Sequence, residues 1–135
     1  MDRQGGCLCG HVRYLIDEEP LDAGFCHCKL CQGASGAPVV AWLTVAVSGF
    51  RYQQGQVKIY RSSPHYQREF CPHCGTQLVF RKSNSATTLD VTLASLDDVN
   101  SVAPQYHIWC QSQVSWLHIE DPLPRYPDAG PDSDH

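Results

Sequence analysis

Phe70-Cys71-Pro72-His73-Cys74-Gly75-Thr76 is the stretch whose spacing decides the fold. Two cysteines stand three apart, and Gly75 follows them, where a positive φ carries no Cβ penalty. A tight turn of that kind aims both sulfurs at one metal ion. A closed tetrahedral site needs two more thiolates, and Cys7-Leu8-Cys9 supplies them. On a strand, residues two apart share a face, so Cys7 and Cys9 are expected to project together. Zinc bound by Cys7, Cys9, Cys71 and Cys74 would staple the start of the chain to its middle and contribute folding free energy directly.

Cys26-His27-Cys28-Lys29-Leu30-Cys31 forms a third cluster. Cys26, Cys28 and Cys31 offer three of four tetrahedral positions for a second zinc ion. Three protein ligands and one open position make a pattern suited to catalysis. His27, Cys110 or a distant histidine as fourth ligand would close the site and make it structural. Disulfides are the competing reading of so many cysteines, and a reducing compartment argues against them.

The rest of the chain predicts short strands. Leu89, Val91 and Leu93 alternate with polar residues, as a half-buried strand requires. Residues 7–16 alternate polar and apolar around Val12, Tyr14 and Ile16, residues 37–47 carry the valines and Trp42 that suit a strand, and residues 65–70 and 77–80 bracket the cysteine turn. Residues 50–52 and 57–60 flank a turn-like stretch containing Gly55. A turn of helix is expected over 29–34, and another near 95–98. The class is mainly β.

The chain has 135 residues, enough for one domain with a modest core. The domain is expected over residues 4–126, with an acidic, disordered tail over 127–135. No apolar run approaches the roughly 20 residues that span a bilayer. The first residues carry no secretory signal, so a cytoplasmic protein is expected. The formal charge is −4. Seven thiolates and two zinc ions move it to about −7. That charge, with scattered Lys and Arg, disfavours nucleic acid. Exposed strand edges leave a homodimer open.

These motifs resemble a known family. Gly5-Gly6-Cys7-Leu8-Cys9-Gly10, the 26–31 cluster, the 70–76 turn, Pro104 to His107-Ile108-Trp109, and Ser115-Trp116 to Asp121-Pro122-Leu123-Pro124-Arg125-Tyr126 stand in its order. The chain is similar to the glutathione-dependent formaldehyde-activating enzymes, a family that includes centromere protein V-like members. The resemblance implies an Mss4-like β-tent of small antiparallel sheets stapled by zinc. It implies a structural zinc on Cys7, Cys9, Cys71 and Cys74, and an active-site zinc on Cys26, Cys28 and Cys31, with no role for Cys110. The implied reaction is carbon–sulfur lyase chemistry, the addition of glutathione to formaldehyde. A glutathione carrier without turnover, or a zinc-stabilised interaction module, is the alternative.

Other residues carry weaker signals. His27 and His73 stand between ligating cysteines and suit either a donor to a thiolate or an exposed loop. His107 suits a core or edge position better than a proton shuttle. His65, His118 and His135 read as surface. Gln32 and Ser35 suit helix capping or contact with a ligand at the metal. Trp42, Trp109 and Trp116 read as core, and Trp109 also as a pocket wall. Arg13, Lys29 and Arg81 are candidates for glutathione carboxylates, with surface charge the simpler reading.

Overall fold

The structure, a computed structural model, describes residues 2–131. Ten strands form in chain order: β1 (Arg3–Gly6), β2 (Arg13–Ile16), β3 (Asp22–Cys26), β4 (Val40–Ala46), β5 (Phe50–Gln54), β6 (Lys58–Arg61), β7 (Tyr66–Phe70), β8 (Gln77–Lys82), β9 (Thr88–Thr92) and β10 (His107–Ile108). One helix, α1 (Lys29–Ser35), lies between β3 and β4. β1, β2 and β5 make a three-stranded sheet. The other seven strands make the second sheet, in the order β10-β3-β4-β9-β8-β7-β6. Every pair is antiparallel except β10 against β3.

β4 shows why the chain has two cores. Its side chains alternate, so Leu43 and Val45 join the main core and Trp42 faces the other way. The main core unites both sheets: Val12, Tyr14 and Ile16 from the smaller meet Leu78, Leu89 and Val91 from the larger. The second core is small. It gathers Trp42, Tyr106 and Ile108 around Cys26 and Cys31.

Two expectations change on the structure, and the turn after residue 54 stands as read. Cys7 and Cys9 do not lie on a strand. β1 stops at Gly6, and the chain turns back through Gly10, whose N–H donates to the Cys7 carbonyl at 3.1 Å and whose φ is +81°. Residues 50–54 and 58–61 flank a turn, yet they enter different sheets: β5 pairs with β2, and β6 with β7. The acidic end does not begin as a free tail. The Trp109 N–H donates to the Asp128 carbonyl at 2.9 Å, and Cys110 to Tyr126 at 3.0 Å. Residues 124–128 thus lie along β10, because that strand's other edge would otherwise hold unpaired amides. Residues 132–135 of the expected tail lie outside the described residues.

Glu69 is 1% exposed on β7 and sits in a full hydrogen-bond set. Arg81 donates to it through two nitrogens at 2.6 and 2.9 Å, Tyr52 at 2.7 Å and Gln67 at 2.8 Å. Burial pushes this carboxyl up, but those donors outweigh it and hold it below its ordinary value. Removing one partner leaves a buried charge without compensation. Arg81→Met should cost about 3–5 kcal/mol in urea unfolding. Arg13→Met, which breaks the exposed pair with Asp97, should cost under about 1 kcal/mol.

Candidate metal centres and active site

Two turns build the first centre, and they use the same device. In 71–75, the Gly75 N–H donates to the Cys71 carbonyl at 2.9 Å, with φ +80° at the glycine. In 7–10, Gly10 does the same for Cys7. Each turn leaves amides free to face sulfur. The Val12 N–H donates to Cys7 Sγ at 3.2 Å, and the His73 and Cys74 N–H groups to Cys71 Sγ at 3.3 and 3.4 Å. Thr76 ties the turns together, accepting from the Leu8 N–H at 3.1 Å with its Oγ1 3.2 Å from Cys74 Sγ. The hydrogen bonds with Thr76 hold the Cys74 thiol down at about 5.

The four sulfurs of Cys7, Cys9, Cys71 and Cys74 lie within 4.8 Å of one another. Cys7 Sγ is 3.7 Å from Cys9 Sγ, which is 3.8 Å from Cys71 Sγ. A disulfide would need about 2.05 Å. A tetrahedral ion with Zn–S bonds of about 2.3 Å sets its sulfurs about 3.8 Å apart. The donor set, spacing and amide-to-sulfur bonds therefore fit a metal ion of that kind.

The second centre stands at the end of β3 and the start of α1. Cys28 caps the helix, its Sγ accepting from the Cys31 N–H at 3.2 Å. That cap places Cys31 one turn on, with its Sγ 3.5 Å from Cys26 Sγ. The sulfurs of Cys26, Cys28 and Cys31 also lie within 4.8 Å of one another. Hydrogen bonds from Cys26 and Cys31 hold Cys28 down at about 2, against its burial. The same contacts, with burial, push Cys26 far up. Three sulfurs this close, two of them buried, cannot all ionise without a cation among them, so the set fits a metal ion.

None of the suggested fourth ligands joins this group among the described residues. The Nε2 of His27 is 2.8 Å from Nδ1 of His107, whose Nε2 is 2.9 Å from Asp121 Oδ2. An ionised carboxylate only accepts, so His107 donates from Nε2 to Asp121, and one proton lies between its Nδ1 and Nε2 of His27. Both histidines are fully buried. Burial, then the nearness of His107 and Arg125, holds His27 down at about 4. Cys110 is half-buried and outside the cluster. The open side of Cys26, Cys28 and Cys31 faces a cleft of about 340 Å³, walled by Trp42, Phe80, Trp109 and Arg68.

His73 stacks edge-on against His11, with ring centroids 4.1 Å apart, and so joins the two turns. His107 is a satisfied core residue. Gln32 donates to the carbonyls of His27 and Ser112 at 2.8 and 3.0 Å, and Ser35 to Cys31 at 2.7 Å, so both brace the loop. Trp42 is core and cleft wall together, but Trp116 is 68% exposed and not core. Arg13 and Arg81 are committed to Asp97 and Glu69, whereas Lys29 does line the cleft. Sequence reasoning missed Arg68 and Asp121. The polar position between Tyr66 and Phe70 on one strand face was the available signal for Arg68.

Residues 2–112 match the family described as glutathione-dependent formaldehyde-activating enzyme. The chain belongs to this family. A lyase of Schizosaccharomyces pombe (strain 972 / ATCC 24843), itself called uncharacterized, is 32% identical over 83 residues, which is 60% of this chain. The aligned stretch spans only 58% of that lyase. The crystal structure of a Rhodobacter sphaeroides protein superimposes with a TM-score of 0.60 at 27% identity, covering 73% of this chain and 91% of that one. Asp121 and the segment along β10 lie beyond the part matched to the glutathione-dependent formaldehyde-activating enzymes. Within the described residues, no helix is long and apolar enough to cross a membrane.

The four-sulfur centre joins positions 62 apart, so its loss should be felt globally. Cys71→Ser should lower the thermal midpoint by roughly 10 °C or more, as losing several kcal/mol would. Cys110→Ser should leave it within about 2 °C. Calorimetric scans of the metal-loaded proteins check both.

Proposed function

We propose that this chain is a zinc-dependent carbon–sulfur lyase-type enzyme that adds glutathione, or a similar thiol, to formaldehyde or a related small electrophile. One observation carries the reading: Cys26, Cys28 and Cys31 meet at the wall of an apolar cleft with no fourth protein ligand among the described residues. A site closed by the protein would serve structure alone. Family membership and the lyase relative support the same reaction class.

In this reading Cys7, Cys9, Cys71 and Cys74 hold a structural zinc, and Cys26, Cys28 and Cys31 hold the catalytic one. Zinc bound there supplies a vacant coordination position and lowers the pKa of a thiol that takes it. The chain's own part is to orient and to exclude water. Gln32 and the Cys28 cap fix the loop. Trp42, Phe80 and Trp109 present hydrocarbon to the reacting groups, which strengthens electrostatic effects between them. The thiol sulfur forms a bond to the carbonyl carbon, and the thiol's proton ends on the carbonyl oxygen. Nothing is oxidised or reduced. The acceleration required is small, because the addition also proceeds in water.

The zinc-loaded protein should raise the formaldehyde–glutathione exchange rate well above the protein-free control in exchange NMR. Cys28→Ser should keep the fold by circular dichroism, carry one zinc fewer, and return the rate to the control. A wild-type rate equal to the control would replace the enzyme with a glutathione carrier.

A further inference from the structure

We propose that Arg68 selects thiols that carry a carboxylate, and so sets which thiol the cleft accepts. This rests on the thiol chemistry proposed above. Side chains on β7 alternate. Glu69 points to the side where Tyr52 and Arg81 meet it, while Tyr66, Arg68 and Phe70 face the clefts. The pleat thus separates Arg68 from the acid next to it. Phe80 is its cross-strand neighbour, and the guanidinium lies 4.7 Å from that ring's centre. Nη1 donates to Gln77 Oε1 at 3.0 Å, and Nη2 stands 3.9 Å from Cys31 Sγ.

No carboxylate meets Arg68 among the described residues, although it is only 6% exposed. Arg3, Arg13, Arg51, Arg81 and Arg125 each have one. Its one anionic neighbour among the described residues is the Cys31 sulfur at 3.9 Å, and one amide oxygen and one sulfur leave most of its five N–H groups for something else. Its surroundings favour an anion. Arg68 lines both the metal-site cleft and a neighbouring cleft of about 560 Å³ reaching Tyr60 and Phe70. No Asp or Glu lines either cleft, yet Lys29 and Arg68 both line the first. Three thiolates and one zinc ion would carry −1 against +2 from Lys29 and Arg68, so the loaded cleft keeps a positive balance that suits a negative ligand. A thiol with its sulfur at Cys26, Cys28 and Cys31 would bring a nearby carboxylate to the guanidinium fork, which matches that group in shape.

The test is titration calorimetry of the zinc-loaded protein with 3-mercaptopropionate, its methyl ester and 2-mercaptoethanol. The acid and its ester share sulfur and reach and differ in charge. The acid should bind about tenfold or more tighter than the ester and 2-mercaptoethanol. In Arg68→Met that ratio should fall to about one, with 2-mercaptoethanol unchanged within about threefold, while Arg68→Lys keeps part of it. Equal affinity of acid and ester for the wild type overturns the proposal, whatever the variants do. Equal loss of all three thiols in Arg68→Met also overturns it, because Arg68 would then only support the Cys31 loop. No heat from any thiol, with two zinc ions still bound, removes the thiol reading itself and this proposal with it.

Discussion

The sulfur contact between the 7–10 and 71–75 turns is the constraint on which the rest of the structure depends. Cys9 Sγ meets Cys71 Sγ across 62 residues of sequence. One turn follows β1 and leads to β2 of the smaller sheet, and the other joins β7 to β8 of the larger. The main core lies between those sheets and includes Cys7 and Cys71 themselves. A chain of this size buries a limited core. A cation among four thiolates would add stability there that apolar area alone does not supply.

That staple also bears on the second centre, although it shares no residue with it. β7 leaves the staple at Cys71 and carries Arg68 toward Cys31. β8 begins just after Thr76 and carries Gln77 to Arg68 and Phe80 to the cleft wall. The other side of the cleft comes from Cys26 at the end of β3, from α1, from Trp42 of β4, and from Trp109, Gln111 and Ser112 just after β10. Fixing the 71–75 turn therefore fixes one wall of the cleft against the loop that bears the three sulfurs. In the proposed reading a structural ion and a reactive one divide the work: the first would set the frame in which the second has an open side.

Most of both centres was legible from the cysteine spacings. Residues that must converge on one ion leave a local signature, such as Cys71 to Cys74 with Gly75 after them. The strand 88–92 was legible for the related reason that alternation is local, and 66–70 because it flanks the 71–75 turn. What stayed hidden depends on pairing across the chain. Residues 7–12 look strand-like in composition, but the Val12 N–H bonds to Cys7 Sγ and forces a turn. Arg68 and Arg81 read alike in sequence. Only the pairing of β7 with β8 gives Glu69 to one of them and leaves the other to the cleft. Trp116 misled in the opposite direction, since a large aromatic is core only if some element covers it.

The segment beyond the family match shows how such pairing extends the site. Residues 124–128 lie along β10, with the His107 N–H donating to the Pro124 carbonyl and Tyr126 donating to that of His107, each at 2.9 Å. Asp121 then reaches His107, and His107 reaches His27, which sits between two of the three ligating cysteines. These contacts are short, and the two histidines are fully buried. Each ring holds its neighbour in one orientation, because the wrong tautomer would set two lone pairs or two protons face to face. The loop between Cys26 and Cys28 is thereby fixed from behind by an acid nearly a hundred residues away, while its sulfurs face the cleft. The open side of the three-sulfur cluster depends on this as much as on the cysteines: with its Nε2 bonded to His107, His27 is held in the buried layer behind the loop, and in the proposed reading the fourth position would be left to whatever enters the cleft.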